Sequence, residues 1–278
     1  MTKKFKDAFL AKYPESEIIL KHFEAGTGHC PEWNKMTRTN LLTFVRYLKE
    51  KVAPSSARTY AAIWKSLLND YKEDVAIPCK RYDEILTLKR VKSIEVYITE
   101  TEVDVISKYA PRDARERYVR NIFLLGCLTG ARHSDCVTFN SKNISGSHLI
   151  YVAEKTKTKV SVPLSQMAVR LIEELSVCTK VNESNYNAII RKICAKLKIG
   201  SDVKVYKAGR YAEGAKWQYI ASHTARRSFA TNLYLRGADL YSISKMMGHA
   251  DTQVTEGYIC CGLREQSDAV LRYFKKFT

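Results

Sequence analysis

The chain is 278 residues long and 45% hydrophobic, and its 46 Lys and Arg outnumber 29 Asp and Glu to give a formal charge of +17. That length suits two domains and that apolar share suits a globular protein, while so large a positive excess repels itself until a polyanion, nucleic acid foremost, offsets it. No apolar run approaches the about 20 residues of a membrane span, and the basic opening Met1–Lys6 lacks the apolar stretch of a signal peptide, so no membrane partner is expected.

The first ninety or so residues read as helices. Leu41, Leu42, Val45 and Leu48 recur at helical spacing, as do Tyr60, Ile63, Trp64, Leu67 and Leu68. Pro54-Ser55-Ser56 separates the two segments and is expected to supply the N-cap of the second. Arg38, Arg46, Lys49, Lys51, Arg58 and Lys65 decorate these helices, either as a solvated face or as contacts to phosphate. The basic stretch Leu88–Ser93 marks a boundary, giving domains over 1–92 and 97–278. Thr99-Glu100-Thr101-Glu102 is a capping-box pattern that starts a new helix, and residues 117–129 form an apolar helix ending at Gly130.

The texture then changes. Leu149 to Ala153 and Lys159 to Val162 are β-type segments around a Lys- and Thr-rich turn, which reads as a hairpin. Helical spacing returns from 165 (Val169, Leu171, Ile172, Leu175; then Ile189, Ile190, Ile193, Leu197). Residues 199–221, with Lys204, Lys207, Arg210 and Lys216, are either irregular or a second basic hairpin. The remainder reads as helical, including an amphipathic segment over 263–277 with Leu263, Val270, Leu271 and Phe274. The fold class expected is mainly α with a small antiparallel β-sheet, an α+β arrangement.

Three segments carry chemistry. In Ser222-His223-Thr224-Ala225-Arg226-Arg227-Ser228-Phe229-Ala230-Thr231, positions 223 and 226 share a helix face, and Ser222 can cap the start. A His, an Arg and a helix N-terminus together make a seat for phosphate. Downstream stand Gly248-His249 and, nine positions later, Tyr258; upstream stands Thr129-Gly130-Ala131-Arg132-His133-Ser134-Asp135. Taken alone, Gly248-His249 reads as a helix terminus with a glycine cap, and Tyr258 is one of 17 tyrosines.

In this order the pieces resemble the tyrosine recombinase (phage integrase) family. The match comprises T-G-x-R-x-x-D, a hairpin with K-T and a proline, H-x-x-R-R-S-F-A-T, a G-H pair and a following Tyr, over about residues 97–278. The basic helical segment before it resembles the family's core-DNA-binding domain, and the two domains would then form a C-shaped clamp on double-stranded DNA. The resemblance implies Arg132 and Arg226 as catalytic arginines, His223 and His249 as the two histidine positions, and Tyr258 as the nucleophile. It implies Lys155 as the hairpin lysine, because Lys155-Thr156 matches K-T and Pro163 sits eight residues on; Lys157 and Lys159 share the turn. Asp135 would orient Arg132 or His223, while Arg38, Arg58, Lys65, Lys157 and Lys159 would touch DNA, as would Arg227 unless it forms a salt bridge instead. The family also implies a homotetramer on synapsed sites, joined through the C-terminal helix, in the cytoplasm of a bacterial host and associated with its nucleoid.

These residue types suit attack on a phosphodiester, which becomes pentacoordinate and gathers charge on its non-bridging oxygens. Two permanently charged guanidinium forks can hold one phosphate from two sides. Histidines add hydrogen bonds and proton transfer near neutral pH. Tyrosine, with a free pKa of about 10, needs nearby cations before its phenolate is accessible. Lysine suits the general acid for the departing 5′ oxygen, and a 3′-phosphotyrosyl product conserves bond energy, so that ATP is not required. No cofactor or metal is expected: the set is cationic, and no carboxylate cluster accompanies it. Eight cysteines without a C-x-x-C, and His22, His29 and Cys30 without zinc-finger spacing, point the same way. Within the same chemistry a type IB topoisomerase is the alternative to a site-specific recombinase of integrase or transposase type. Outside that chemistry, the alternative is a catalytically silent DNA-binding protein.

Overall fold

Helical periodicity dominates the chain, and the fold follows it. The computed structural model describes residues 3–89, 95–175, 181–200, 202–207 and 210–260. The chain divides into two compact units, one of residues 1–93 with 206–212 and the other of 94–205 with 213–278. It is mainly α-helical with two small antiparallel sheets.

In the first unit, α1 (Phe5–Lys12), α2 (Glu17–Thr27), α3 (Arg38–Lys51), α4 (Pro54–Tyr71) and α5 (Tyr82–Leu86) gather around Trp64. The indole is fully buried among Phe5, Phe9, Phe23 and Phe44, with ring centroids 4.9 to 5.7 Å away. Its N–H finds the Met36 sulfur at 3.3 Å, so the polar end of the ring is not stranded in the core. Leu41, Val45 and Leu48 are buried as their spacing requires, but Leu42 lies beside that stripe and is exposed. The serines do not cap α4. Ala53 is its N-cap and makes no side-chain bond; Pro54 takes the first helical position, where its missing N–H costs nothing.

The second unit is built around α7 (Ala114–Thr129). Before it runs α6 (Glu100–Ser107), opened by the expected capping box: Glu102 N–H donates to Thr99 Oγ1 at 3.3 Å, and Thr99 N–H to Glu102 Oε2 at 2.8 Å. After it come α8 (His133–Cys136), β1 (Ile144–Ser145), β2 (His148–Val152) and β3 (Lys159–Pro163). β2 and β3 form the expected hairpin, with Leu149 opposite Val162 and Tyr151 opposite Val160. The period-2 alternation turns these four side chains into the core. The two-residue β1, which no sequence pattern marks, extends the sheet as β1-β2-β3.

Helices α9 (Gln166–Leu175) and α10 (Glu183–Lys196) follow, and α7 packs against both. The segment left open between loop and hairpin is a hairpin, β4 (Asp202–Lys207) with β5 (Arg210–Ala215). Then come α11 (Ser222–Leu235), which also packs on α7, α12 (Leu240–Met246) and α13 (Thr252–Glu256). No helix among the described residues is long and apolar enough to cross a membrane. The amphipathic segment expected over 263–277 lies outside the described residues.

Candidate active site

Two glycines shape the site. Gly130 ends α7 in the left-handed conformation (φ +67), and a Cβ there would come within 2.4 Å of the Phe229 ring, so no other residue fits. The chain can thus turn at once into Arg132, which serves as the N-cap of α8 and whose carbonyl accepts the amides of Asp135 and Cys136. Gly248 ends α12 in a Schellman motif: its N–H reaches Lys245 O at 3.1 Å, and His249 N–H reaches Ser244 O at 2.9 Å. Both meanings of the Gly-His pair therefore hold. The glycine terminates a helix, and by doing so it delivers His249 into the interior.

Arg226 lies at the centre, on α11, only 1% exposed. Its Nη1 donates to the carbonyl of Gly130, and its Nη2 to Met247 O at 2.5 Å and His249 Nε2 at 2.6 Å. Two helix-terminating turns thus grip one guanidinium. Its Nε, and Nη1 of Arg132, are buried donors with no hydrogen-bond partner among the described residues. Burial, and next the charge of Arg132, lower the pKa of Arg226. An anion is the partner that two adjacent, incompletely satisfied guanidiniums lack.

His249 is 5% exposed, and its Nδ1 lies 2.9 Å from Thr255 Oγ1. Burial, followed by the charges of Arg226 and Arg132, pushes its pKa from 6.5 down to about 4. Acidification should therefore destabilise the fold through this group. Below about pH 6.5 the unfolded chain takes up a proton that the folded state refuses until about pH 4, so stability is complete above that window and falls as pH drops through it. The loss amounts to about 2 kcal/mol between pH 7 and pH 5. Urea titrations at the two pH values check it: the drop should shrink by that amount in His249→Gln, and an identical drop in both proteins contradicts it.

Tyr258 is half-buried just past α13. Its ring lies 5.3 Å from that of His249 and 5.4 Å from the Arg226 guanidinium carbon. Two threonines, both wholly buried, hold this segment. Tyr258 N–H donates to Thr255 O at 2.8 Å, while Thr231 Oγ1 donates to Tyr258 O at 3.3 Å and accepts Cys260 N–H at 3.0 Å. Neither threonine was marked as a site residue by pattern, because a buried hydroxyl leaves no trace in hydrophobic period or charge.

The six expected catalytic residues come together. Arg132, Lys155, His223, Arg226, His249 and Tyr258 all line one cleft of about 530 Å³, with His133, Ser134, Thr156, Ser222, Ala250 and Val254. Of the three lysines in the β2–β3 turn, Lys155 lines this cleft; Lys157 (φ +53) and Lys159 are exposed on the same hairpin. His223 is exposed and Arg226 buried, one turn apart on the same side of α11.

Other expectations need adjustment. Asp135 directs its carboxylate to the backbone: Oδ1 accepts Glu154 N–H at 2.9 Å, tying the residue before Lys155 to α8 rather than bonding a reacting side chain. Ser222 does not cap α11. Ala221 is the N-cap, its N–H donating to Thr224 Oγ1 at 3.0 Å, and Ser222 N–H is taken by Asn187 Oδ1 at 2.9 Å from α10. Arg227 pairs with Glu95 at 2.5 Å, which commits its charge within the protein. Lys65 donates to Thr87 Oγ1 and lines a separate cleft of the first unit, whereas Arg38 and Arg58 are exposed. Among the described residues no cluster of three His, Cys, Asp or Glu side chains could hold a metal.

The family described as "Phage integrase family" matches residues 96–260. Tyrosine recombinase XerC of Roseiflexus sp. (strain RS-1) is 25% identical, over 82% of this chain and 75% of its own length. Tyrosine recombinase XerD of Oceanobacillus iheyensis is 27% identical, over 81% and 78%. Among solved structures, the Tn1549 transposon integrase in complex with a circular intermediate DNA superposes with a TM-score of 0.67, at 10% identity over the whole of both chains.

Proposed function

The chain belongs to the phage integrase family, the tyrosine recombinases that cleave and rejoin DNA through a tyrosine intermediate, and from that premise we propose that Tyr258 is its nucleophile. The observation that carries the reading is the single cleft lined by Arg132, Lys155, His223, Arg226, His249 and Tyr258. The scissile phosphate of double-stranded DNA sits between Arg132 and Arg226, satisfying their open donors, with His223 hydrogen-bonding from the solvent side. The Tyr258 oxygen gives up its proton to water as it attacks phosphorus, charge develops on the non-bridging oxygens, and the guanidiniums stabilise it. Lys155 protonates the departing 5′ oxygen, leaving a 3′-phosphotyrosyl bond that a 5′ hydroxyl later reverses. His249 acts on this phosphate through Arg226, since its Nε2 is occupied by that guanidinium.

In this reading the first unit is the core-DNA-binding domain, and exposed Arg38, Arg58, Lys157 and Lys159 contact the backbone, whose neutralisation is what so basic a chain supplies. Asp135 positions the lysine turn. Four copies act on two synapsed sites, residues 263–277 joining neighbours, in the bacterial cytoplasm at the nucleoid. The test uses nicked duplexes selected for binding from a randomised pool, so that the cleaved end diffuses away. A denaturant-resistant adduct is expected, and its proteolysis should return the nucleotide on the peptide containing Tyr258. An adduct mapped to any other residue overturns the assignment.

A further inference from the structure

Thr255 belongs to the working site although it lies outside the cleft's lining and carries no charge. Its side chain is wholly buried, and its hydroxyl oxygen is 2.9 Å from His249 Nδ1. The opposite ring nitrogen, Nε2, is 2.6 Å from Arg226 Nη2. A guanidinium can only donate, so Nε2 is the acceptor and bears no proton. The ring's one proton is then on Nδ1 and points at Thr255, which must accept it. The guanidinium contact sets the tautomer, and the Thr255 contact shows where the Nδ1 proton goes; the hydroxyl contact alone would leave the tautomer open.

The same residue reaches the nucleophile. The carbonyl of Thr255 takes Tyr258 N–H at 2.8 Å, and the His249 and Tyr258 rings lie 5.3 Å apart. Thr255 therefore stands where the support of the histidine and the support of the tyrosine meet. A displacement of α13 that moves Tyr258 also withdraws the acceptor from His249.

We propose that Thr255 is a positioning residue of strand cleavage: by accepting the His249 Nδ1 proton it stabilises the tautomer and ring orientation in which Nε2 holds the Arg226 guanidinium, and it couples that hold to the placement of Tyr258. The catalytic part of this inference rests on Tyr258 being the nucleophile; the tautomer does not. A hydroxyl that only filled space would be replaced by an isosteric methyl without effect on the ring.

The experiment is a long-range proton–nitrogen correlation spectrum of histidine-labelled full-length protein without DNA, with His249 assigned through His249→Gln. The wild type should show a protonated Nδ1 and an unprotonated Nε2 at neutral pH. Thr255→Val should lose this pattern, and its adduct formation on the nicked, binding-selected duplexes should slow about tenfold while DNA affinity holds. Thr255→Ser should restore both. A wild-type ring protonated on Nε2 overturns the proposal, as does a valine variant that keeps the Nδ1–H pattern and the full rate. If the valine variant does not fold, the wild-type and serine spectra still decide. If no adduct forms with any protein, the reading of Tyr258 fails while the spectra still test Thr255.

Discussion

Tyr258→Phe should eliminate the denaturant-resistant protein–DNA adduct while duplex binding stays within about twofold of wild type. The substitution removes one oxygen and little else. The remaining ring still fits beside His249 and Arg226, whose ring and guanidinium carbon lie 5.3 and 5.4 Å from its centre. The segment is held through main-chain atoms, Tyr258 O and Cys260 N–H on Thr231 and Tyr258 N–H on Thr255, and these bonds survive. Loss of reaction can then be attributed to the missing nucleophile and not to a collapsed site. The competing hydroxyls of Ser134, Ser222 and Thr156 also line the cleft, so the result is not guaranteed by exclusion. Denaturing gels read the adduct, and native gels read binding. An undiminished adduct would send the search to those hydroxyls.

The candidate site was legible in the sequence because attack on a phosphodiester would demand residue types that stand out. Arginine after a left-handed glycine, histidine one helical turn before arginine, and tyrosine at a fixed distance from Gly-His are local patterns, and each survives folding as a local geometry. Gly130 shows why: the turn that spacing suggested is required by contact with Phe229, a residue 99 positions away. The hairpin was legible for the same kind of reason, since alternation over 149–153 and 159–162 is a property of each strand alone.

What was not legible depends on which partner a polar group meets. Thr231 and Thr255 acquire their roles only because α11 and α13 bring them to the tyrosine segment. Asp135 stands three residues from Arg132, which suggested a bond to it, yet the hairpin's Glu154 amide claims its carboxylate instead. Caps were misplaced for a related reason. At Pro54 the proline itself supplies the first helical φ, and at Ser222 the neighbouring α10 supplies Asn187, so neither serine was needed. For Arg227 the sequence left a salt bridge and a phosphate contact both open, and the structure shows the salt bridge, to Glu95 from the segment before α6.

Arg226→Lys should leave the protein folded and able to bind DNA but slow cleavage by about 10²–10³-fold, the loss of a preorganised transition-state donor. The native guanidinium divides its donors. Nη1 and Nη2 go to Gly130 O, Met247 O and His249 Nε2, which leaves Nε for a phosphate oxygen. An ammonium group is one nitrogen on a flexible stem, and it cannot occupy the guanidinium's separated positions at once. If it satisfies the two carbonyls, the phosphate loses its donor. If it turns to the phosphate, the buried carbonyls and His249 are stranded. Charge is conserved, so a purely coulombic role predicts little change, and the two explanations separate cleanly. Rejoining passes through the same pentacoordinate state and should slow with cleavage, which single-turnover measurements in both directions would read. A lysine variant that cleaves within about threefold of wild type would show that fixed geometry at Arg226 contributes nothing beyond its charge.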